Sequence, residues 1–329
     1  MSSTNQTTVA TATFARVQEA YDLERMAATR IIFVGTGGAA AFIEDLARAG
    51  IGEHVLIDPD IVTEANLATQ QTYRHDIGRQ KIVCLAERIQ DIHPQAVVST
   101  YPVLLDDLDD TQFSNIINAP LKNGQPPSVV LLCGLTDNFY AQARVNRIAL
   151  HFGIPSLCAQ VYYEGRGAEV TFTFPGVTPA CHRCILSSRY NAFLKQGYQN
   201  KVTSDGTPIF ATTRLNAIKG FVTLALLHHG TSHKRWGDML LRIGKRNLLQ
   251  IRMDPDLSTI LNLTTFEKVF SEADKSSILF DETIWRAQDQ EGVDTGYLPC
   301  PDCDGTGDLR NAIGTFEDTR EMRIVKGIE

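Results

Sequence analysis

From residue 31 to residue 174 the chain alternates short, almost wholly apolar runs with longer stretches in which apolar residues recur every three or four positions. The runs within "IIFV" (31–34), "EHVLIDPD" (53–60), "AVVSTYPVL" (96–104), "PPSVVLLCGLTDN" (126–138), "IPSLCAQVYYEG" (154–165) and "RGAEVTFTF" (166–174) predict strands. Residues 39–50, 78–94 and 137–153 predict helices; Gly50 and Gly52 stop the first, and Pro94 closes the second. Strand–helix alternation over 31–160 predicts an α/β chain with a parallel, doubly wound sheet, whose strands are continuous apolar runs because both faces are covered. Helical spacing also covers 16–30 and 212–229. After residue 170 the pattern becomes mixed, with strands predicted in "MLLRIGKRNLLQIRM" (239–253). Residues 1–15 read as a flexible polar arm and 304–329 as a polar tail.

Composition narrows the class. The 329 residues are 43% apolar and 21% charged, as in a globular protein. A net charge of −7 offers no attraction to nucleic acid or to an anionic membrane. No run is long enough to span a membrane, and "MSSTNQTTVATATF" lacks the basic and apolar regions of a secretory signal. These features predict a cytoplasmic protein with reduced thiols.

Candidate chemistry begins where the first strand meets "GTGG" (35–38). A strand, a glycine-rich turn and a helix N-terminus present backbone N–H groups to an anion. Gly35, Gly37 and Gly38 allow the turn, and Ala40 stands where a third fingerprint glycine is expected. A tight turn with nothing bound is the plainer reading. Asp58 ends the second strand 20 residues past Gly38, where a carboxylate meets ribose hydroxyls in NAD and ATP sites alike. Asp60 follows in the same turn. Asn66, Gln70 and Lys81 come next; a hydride-transfer site has no use for them there, whereas Lys81 can neutralise phosphate charge. Otherwise Asn66 caps a turn and Lys81 opens a solvated helix. Asp137 ends the fourth strand, beside Asn138; it can hold Mg²⁺ near a triphosphate or simply cap the next helix. Four of seven cysteines form two CxxC pairs, Cys181/Cys184 and Cys300/Cys303, separated by residues 185–299. Four thiolates suit a closed tetrahedral Zn²⁺ site; chance pairs or a redox pair remain the alternatives.

Taken in order, "VGTGGAAAFIEDLARAGIGEHVLIDPDIVTEANLATQ", "DIGRQK", "GLTDNFYAQARVN", "CHRC" and "CPDC" resemble the ThiF and ubiquitin-activating family of adenylating enzymes, over residues 30–303. The resemblance implies a Rossmann-like, doubly wound, mostly parallel sheet with a zinc-bearing C-terminal lobe, the nucleotide-binding half at 30–165 and the mixed half at 166–303. It implies ATP-dependent adenylation of the C-terminal carboxylate of a ubiquitin-like or sulfur-carrier protein, with pyrophosphate released, in a homodimer. Gly35, Gly37 and Gly38 would line the phosphate loop and Asp58 would bind ribose, with Asp60 in the same turn. Asn66, Gln70 and Lys81 would contact phosphates. Asp137, next to Asn138, would hold Mg²⁺, and the four paired cysteines would hold structural Zn²⁺.

The chain departs from the family at three places. Thr69 stands where an arginine precedes the family's glutamine, leaving Arg74 and Arg79 as substitutes. Gln142 stands where the following helix has an arginine, with Arg144 nearby. Arg16 is the nearest match to an arginine given by the partner subunit. Relatives that form a thioester carry a crossover-loop cysteine, but 201–220 has Thr203 and Ser204 instead. Cys133 and Cys158 fall in predicted strands, and Cys84 lies one turn beyond Lys81. The expected enzyme therefore stops at the acyl-adenylate. The alternatives are a peptide or tRNA-borne carboxylate as substrate, a non-catalytic dimeric scaffold, and an NAD-dependent oxidoreductase, which "DIGRQK" and the zinc pairs disfavour.

Overall fold

A computed structural model describes residues 12–195, 206–243, 246–254, 282–286, 300 and 302–303. In chain order the elements are α1 (Leu23–Ala27), β1 (Thr29–Val34), α2 (Ala40–Arg48), β2 (Glu53–Ile57), α3 (Asn66–Thr69), α4 (Lys81–Ile92), β3 (Val97–Tyr101), α5 (Asp110–Asn118), β4 (Val129–Gly134), α6 (Phe139–Phe152), β5 (Ser156–Val161), β6 (Gly167–Thr173), α7 (His182–Ile185), α8 (Ser187–Lys195), α9 (Ile209–His228), α10 (Met239–Ile243), β7 (Leu248–Arg252) and β8 (Glu282–Arg286). They form two compact units, one of residues 1–133 with 220–243 and one of residues 134–219 with 244–329.

In the first unit the strands run β3-β2-β1-β4, and β2 pairs in parallel with β1 and β3. Every residue of β1 and β2 is buried, as the continuous apolar runs predict. The outermost strand, β3, is only half-buried. β1 starts at Thr29, so the helical reading of 16–30 is corrected: only Leu23–Ala27 is helical. Arg30 belongs to the strand because Glu53 beside it and the carbonyls of Ile116, Ile117 and Ala119 satisfy its buried guanidinium.

In the second unit the order is β5-β6-β7-β8, antiparallel throughout. The first unit is thus Rossmann-like, with parallel pairing around β1–β3, and the second unit is an antiparallel β–α unit. α6 has sharp ends. Asn138 accepts from the N–H groups of Tyr140 and Ala141, and Gly153 closes the helix at φ 64°. Phe139, Tyr190 and Phe193 pack as an aromatic core against α6 and α8, the Phe139 and Phe193 rings stacked at 4.1 Å. Residues 239–243, expected as strand, form helix α10; the strand of that segment begins at Leu248. α5, α7 and α8 were not expected as helices. Among the described residues no helix is long and apolar enough to cross a membrane.

Candidate functional site

The glycine turn is built by two constraints. Gly35 takes φ 84°, a left-handed conformation that suits glycine, and donates its N–H to Ile57 O at 3.0 Å. α2 then begins at Ala40 with no side-chain cap and no acid in its first turn. The helix therefore brings no acid of its own to its positive end. Asp58, 6% exposed, ties the turn to β2. Its Oδ2 accepts from the Thr36 N–H at 2.7 Å and the Thr36 hydroxyl at 2.9 Å, and Oδ1 accepts from the Asp60 N–H at 2.9 Å. Each carboxylate oxygen has two acceptor directions, so Oδ1 retains one for a ligand hydroxyl.

Lys81 reaches this turn through a short antiparallel clasp. Ile61 bridges Gln80, Val62 donates to Arg79 O, and the Lys81 N–H donates to Asp60 O. Lys81 Nζ then lies 2.9 Å from Asp60 Oδ2. Asn66 uses its Oδ1 locally, accepting from the Thr63 N–H and hydroxyl as α3 begins. Gln70 follows α3 and lies over the glycine turn: a Cβ on Gly37 would stand 2.8 Å from its Nε2 and Oε1. Gln70 Oε1 is buried and has no hydrogen-bond partner. The first unit thus brings Gly37 to Gln70, Thr36 to Asp58, and Asp60 to Lys81.

Sequence reasoning missed the residue that holds this segment. Arg88, on α4, donates Nε to Glu44 of α2 at 2.7 Å, Nη1 to Asp76 at 3.0 Å and Nη2 to Gln71 O at 3.1 Å. Gln71 also donates to Glu44, and Arg88 lies over the Tyr73 ring. Glu44 and Asp76 are buried, and their charges are matched here by the guanidinium. Arg74 and Arg79, the substitutes for a cation at Thr69, each face a carboxylate: Glu64 at 3.6 Å and Glu87 at 2.5 Å. Arg16 is exposed.

Asp137 and Asn138 belong to the second unit, at the β4–α6 turn. Asn138 is the helix cap. Gln142, where the family has arginine, donates its Nε2 to Thr136 O at 2.6 Å and so braces the turn that carries Asp137. Arg144 is 1% exposed.

The same unit collects Cys181, Cys184, Cys300 and Cys303, whose sulfurs all lie within 4.8 Å of one another. The two hairpins set separations of 3.8 Å (Cys181–Cys184), 3.8 Å (Cys181–Cys300) and 3.5 Å (Cys184–Cys303). A tetrahedral ion with bonds of about 2.3 Å needs ligand sulfurs about 3.8 Å apart, so the donor set and spacing fit Zn²⁺. Among the described residues this is the only such cluster. His182 is not in it; its Nδ1 pairs with the Thr171 hydroxyl at 2.8 Å. Cys84, Cys133 and Cys158 are all buried. Burial raises the Cys84 thiol above its ordinary pKa, with Asp76 adding to the shift, and burial pushes Cys158 up to about 12. Both shifts hold Cys84 and Cys158 in the thiol form, the poor nucleophile.

The sequence profile of the ThiF family matches residues 10–244. Ubiquitin-like modifier-activating enzyme 5 of Drosophila mojavensis is 29% identical over 166 residues, which cover 50% of this chain and 41% of that protein. SAMP-activating enzyme E1 of Haloferax volcanii is 26% identical over 165 residues, covering 49% of this chain and 55% of that protein. The matched part therefore spans about half, or less, of the length of these relatives. Among solved structures, Escherichia coli MccB with ATP has a TM-score of 0.55 at 15% identity, covering 82% of this chain and 67% of that one. PaaA has a TM-score of 0.51 at 16% identity, covering 70% and 71%. These structural likenesses are of fold.

Proposed function

The chain belongs to the ThiF family, and on that premise we propose that it uses ATP to adenylate the C-terminal carboxylate of a ubiquitin-like or sulfur-carrier protein. A carboxylate oxygen attacks the α-phosphorus, the bond from that phosphorus to the bridging oxygen breaks, and pyrophosphate leaves with the electron pair. The product is an acyl-adenylate. The observation that carries the reading is the glycine turn at an uncapped helix start, tied by Thr36 to Asp58 and flanked by Lys81.

In this reading the turn of Gly35, Gly37 and Gly38 lies against the phosphates: Gly35 gives it its left-handed bend while its own N–H stays on Ile57 O, and the start of α2 supplies the favourable dipole. Asp58 offers Oδ1 to ribose, with Asp60 beside it holding Lys81 in place. Lys81 exchanges its partner Asp60 for phosphate charge as pyrophosphate forms. Asn66 and Gln70 contact phosphates, and for Gln70 the support is a buried amide lying on Gly37. Asp137, at the turn that Asn138 caps, would hold the Mg²⁺ that accompanies ATP, and the ion would there neutralise phosphate charge. Zn²⁺ at the four cysteines closes the second unit. The buried state of Cys84, Cys133 and Cys158 favours direct hand-over of the adenylate, without a thioester on any of them. We assign the working form to a homodimer.

The test is exchange of labelled pyrophosphate into ATP with Mg²⁺, with and without candidate ubiquitin-like proteins. Carrier-dependent exchange that is lost in Lys81→Ala and in Asp137→Ala is the expected result. Exchange with short peptides alone moves the substrate to a peptide. Tight dimers that bind no ATP overturn the enzymatic reading in favour of a scaffold.

A further inference from the structure

The interior of a helix is a poor place for asparagine, whose amide competes with the backbone and must be satisfied when buried. Asn146 sits in the middle of α6 and is 0% exposed. Its Oδ1 accepts from the His182 N–H at 3.1 Å, and its Nδ2 donates to Asp302 Oδ2 at 3.0 Å and lies 3.7 Å from Cys181 Sγ. One amide therefore touches both cysteine hairpins, each at a residue between its two cysteines, and touches one of the sulfurs as well.

The charges around it fit a metal-thiolate cluster. Four thiolates about a divalent ion leave two negative charges in a buried place, and Asp302, 0% exposed, adds a third. Arg183 meets Asp302 Oδ1 at 2.7 Å and Arg147 stands at 3.9 Å, returning two positive charges. Against the remaining excess, Asn146 Nδ2 stands as an N–H donor beside the Cys181 sulfur. Outer-shell donors of this kind orient ligands and tune how tightly the ion is held.

We propose that Asn146 is an outer-shell positioning residue of the metal centre. It sets the Cys181 sulfur, locks the two hairpins to one another through Asp302, and joins both to α6. That helix begins at the Asp137–Asn138 turn, about 12 Å away along its axis at eight residues of rise. This rests on the reading of the four cysteines as a metal site.

The experiment uses the full chain as isolated under reducing conditions. Elemental analysis of the wild type comes first; absence of zinc or any other metal overturns the metal reading and this proposal with it. With metal present, its transfer to a chromogenic chelator is timed for the wild type, Asn146→Ala, Asn146→Leu and Arg183→Met. Release about 10- to 100-fold faster in the Asn146 variants, and faster in Arg183→Met, is expected. Melting temperatures of the chelated forms should agree with that of the chelated wild type. The cobalt-substituted Asn146 variants should also show a shifted sulfur-to-metal charge-transfer band. Release within twofold of the wild type, or an equal loss of stability in loaded and chelated forms, overturns the role of Asn146 while leaving the metal site standing. Should neither Asn146 variant fold, Arg183→Met decides, because Arg183 is partly exposed and its loss frees Asp302, the partner through which Asn146 reaches the second hairpin, together with a contact over the Tyr190 ring.

Discussion

Asp58→Asn and Asp60→Asn make the same chemical change two residues apart, and the structure separates their consequences. Asp58 is nearly buried and accepts three hydrogen bonds. An asparagine can keep its one oxygen toward Thr36, but its NH₂ then meets the Asp60 N–H, donor against donor. Losing one charge-assisted bond costs about 1.5–3 kcal/mol, and the two bonds to Thr36 weaken once the acceptor is neutral. The expected loss is roughly 3 kcal/mol, a large share of the ~5–15 kcal/mol that holds a folded domain. The Asp60 side chain is 61% exposed, and its pair with Lys81 is worth about 1 kcal/mol or less. Urea unfolding followed by fluorescence and circular dichroism measures both. In pyrophosphate exchange below the unfolding range, Asp58→Asn should also raise the KM for ATP, because the glycine turn is no longer fixed. Equal stability of the two variants, or a loss under about 1 kcal/mol for Asp58→Asn, would refute the tie between the turn and β2.

Other expectations concern single sites. Gly37→Ala places a Cβ 2.8 Å from the end of Gln70, which can swing away; stability should change by less than about 1 kcal/mol, while ATP affinity falls at least tenfold in titration calorimetry. Unchanged affinity would take Gly37 and Gln70 out of the nucleotide site. Gly52→Ala meets the Ala27 carbonyl oxygen at 1.9 Å, backbone that cannot give, so soluble yield should collapse. His54 is fully buried, its ring held neutral to about pH 3 by burial, with His93 nearby adding to the shift. The unfolded chain takes up this proton near pH 6.5, so its contribution falls as pH drops below that value. Between pH 7 and pH 5 it should amount to about 2 kcal/mol, absent in His54→Leu; an unchanged acid slope in that variant would sink the argument.

The parts of the fold that one local pattern specifies were legible. β1 and β2 are runs of buried residues, and the turn, Asp58 and Lys81 stand together in the fold as their order along the chain suggests. Arg30 hid the start of β1, because a charge inside a strand makes sense only beside Glu53, 23 residues away. "MLLRI" is too short for its period to separate helix from strand, and the structure makes it α10. α5 has a local signal in its start: Asp109 and Gln112 form a capping box, each side chain accepting from the other's N–H. Glu44, Asp76 and Arg88 read individually as helix and turn surface charges; only the folded chain brings them together. Asn146 was equally silent, since its meaning lies in a segment 156 residues further on.

The hairpins that bring the four sulfurs together are 119 residues apart. During synthesis Cys181 and Cys184 leave the ribosome long before Cys303 exists. At about 5–20 residues per second, that interval lasts several seconds to tens of seconds. Through it the first hairpin is a bare dithiol, open to oxidants and to whatever soft metal arrives first. Only when the last cysteine emerges can four sulfurs outcompete two. For the proposed Zn²⁺ site, loading is therefore a closing act of biogenesis, because the four-sulfur donor set exists only once Cys303 has been made.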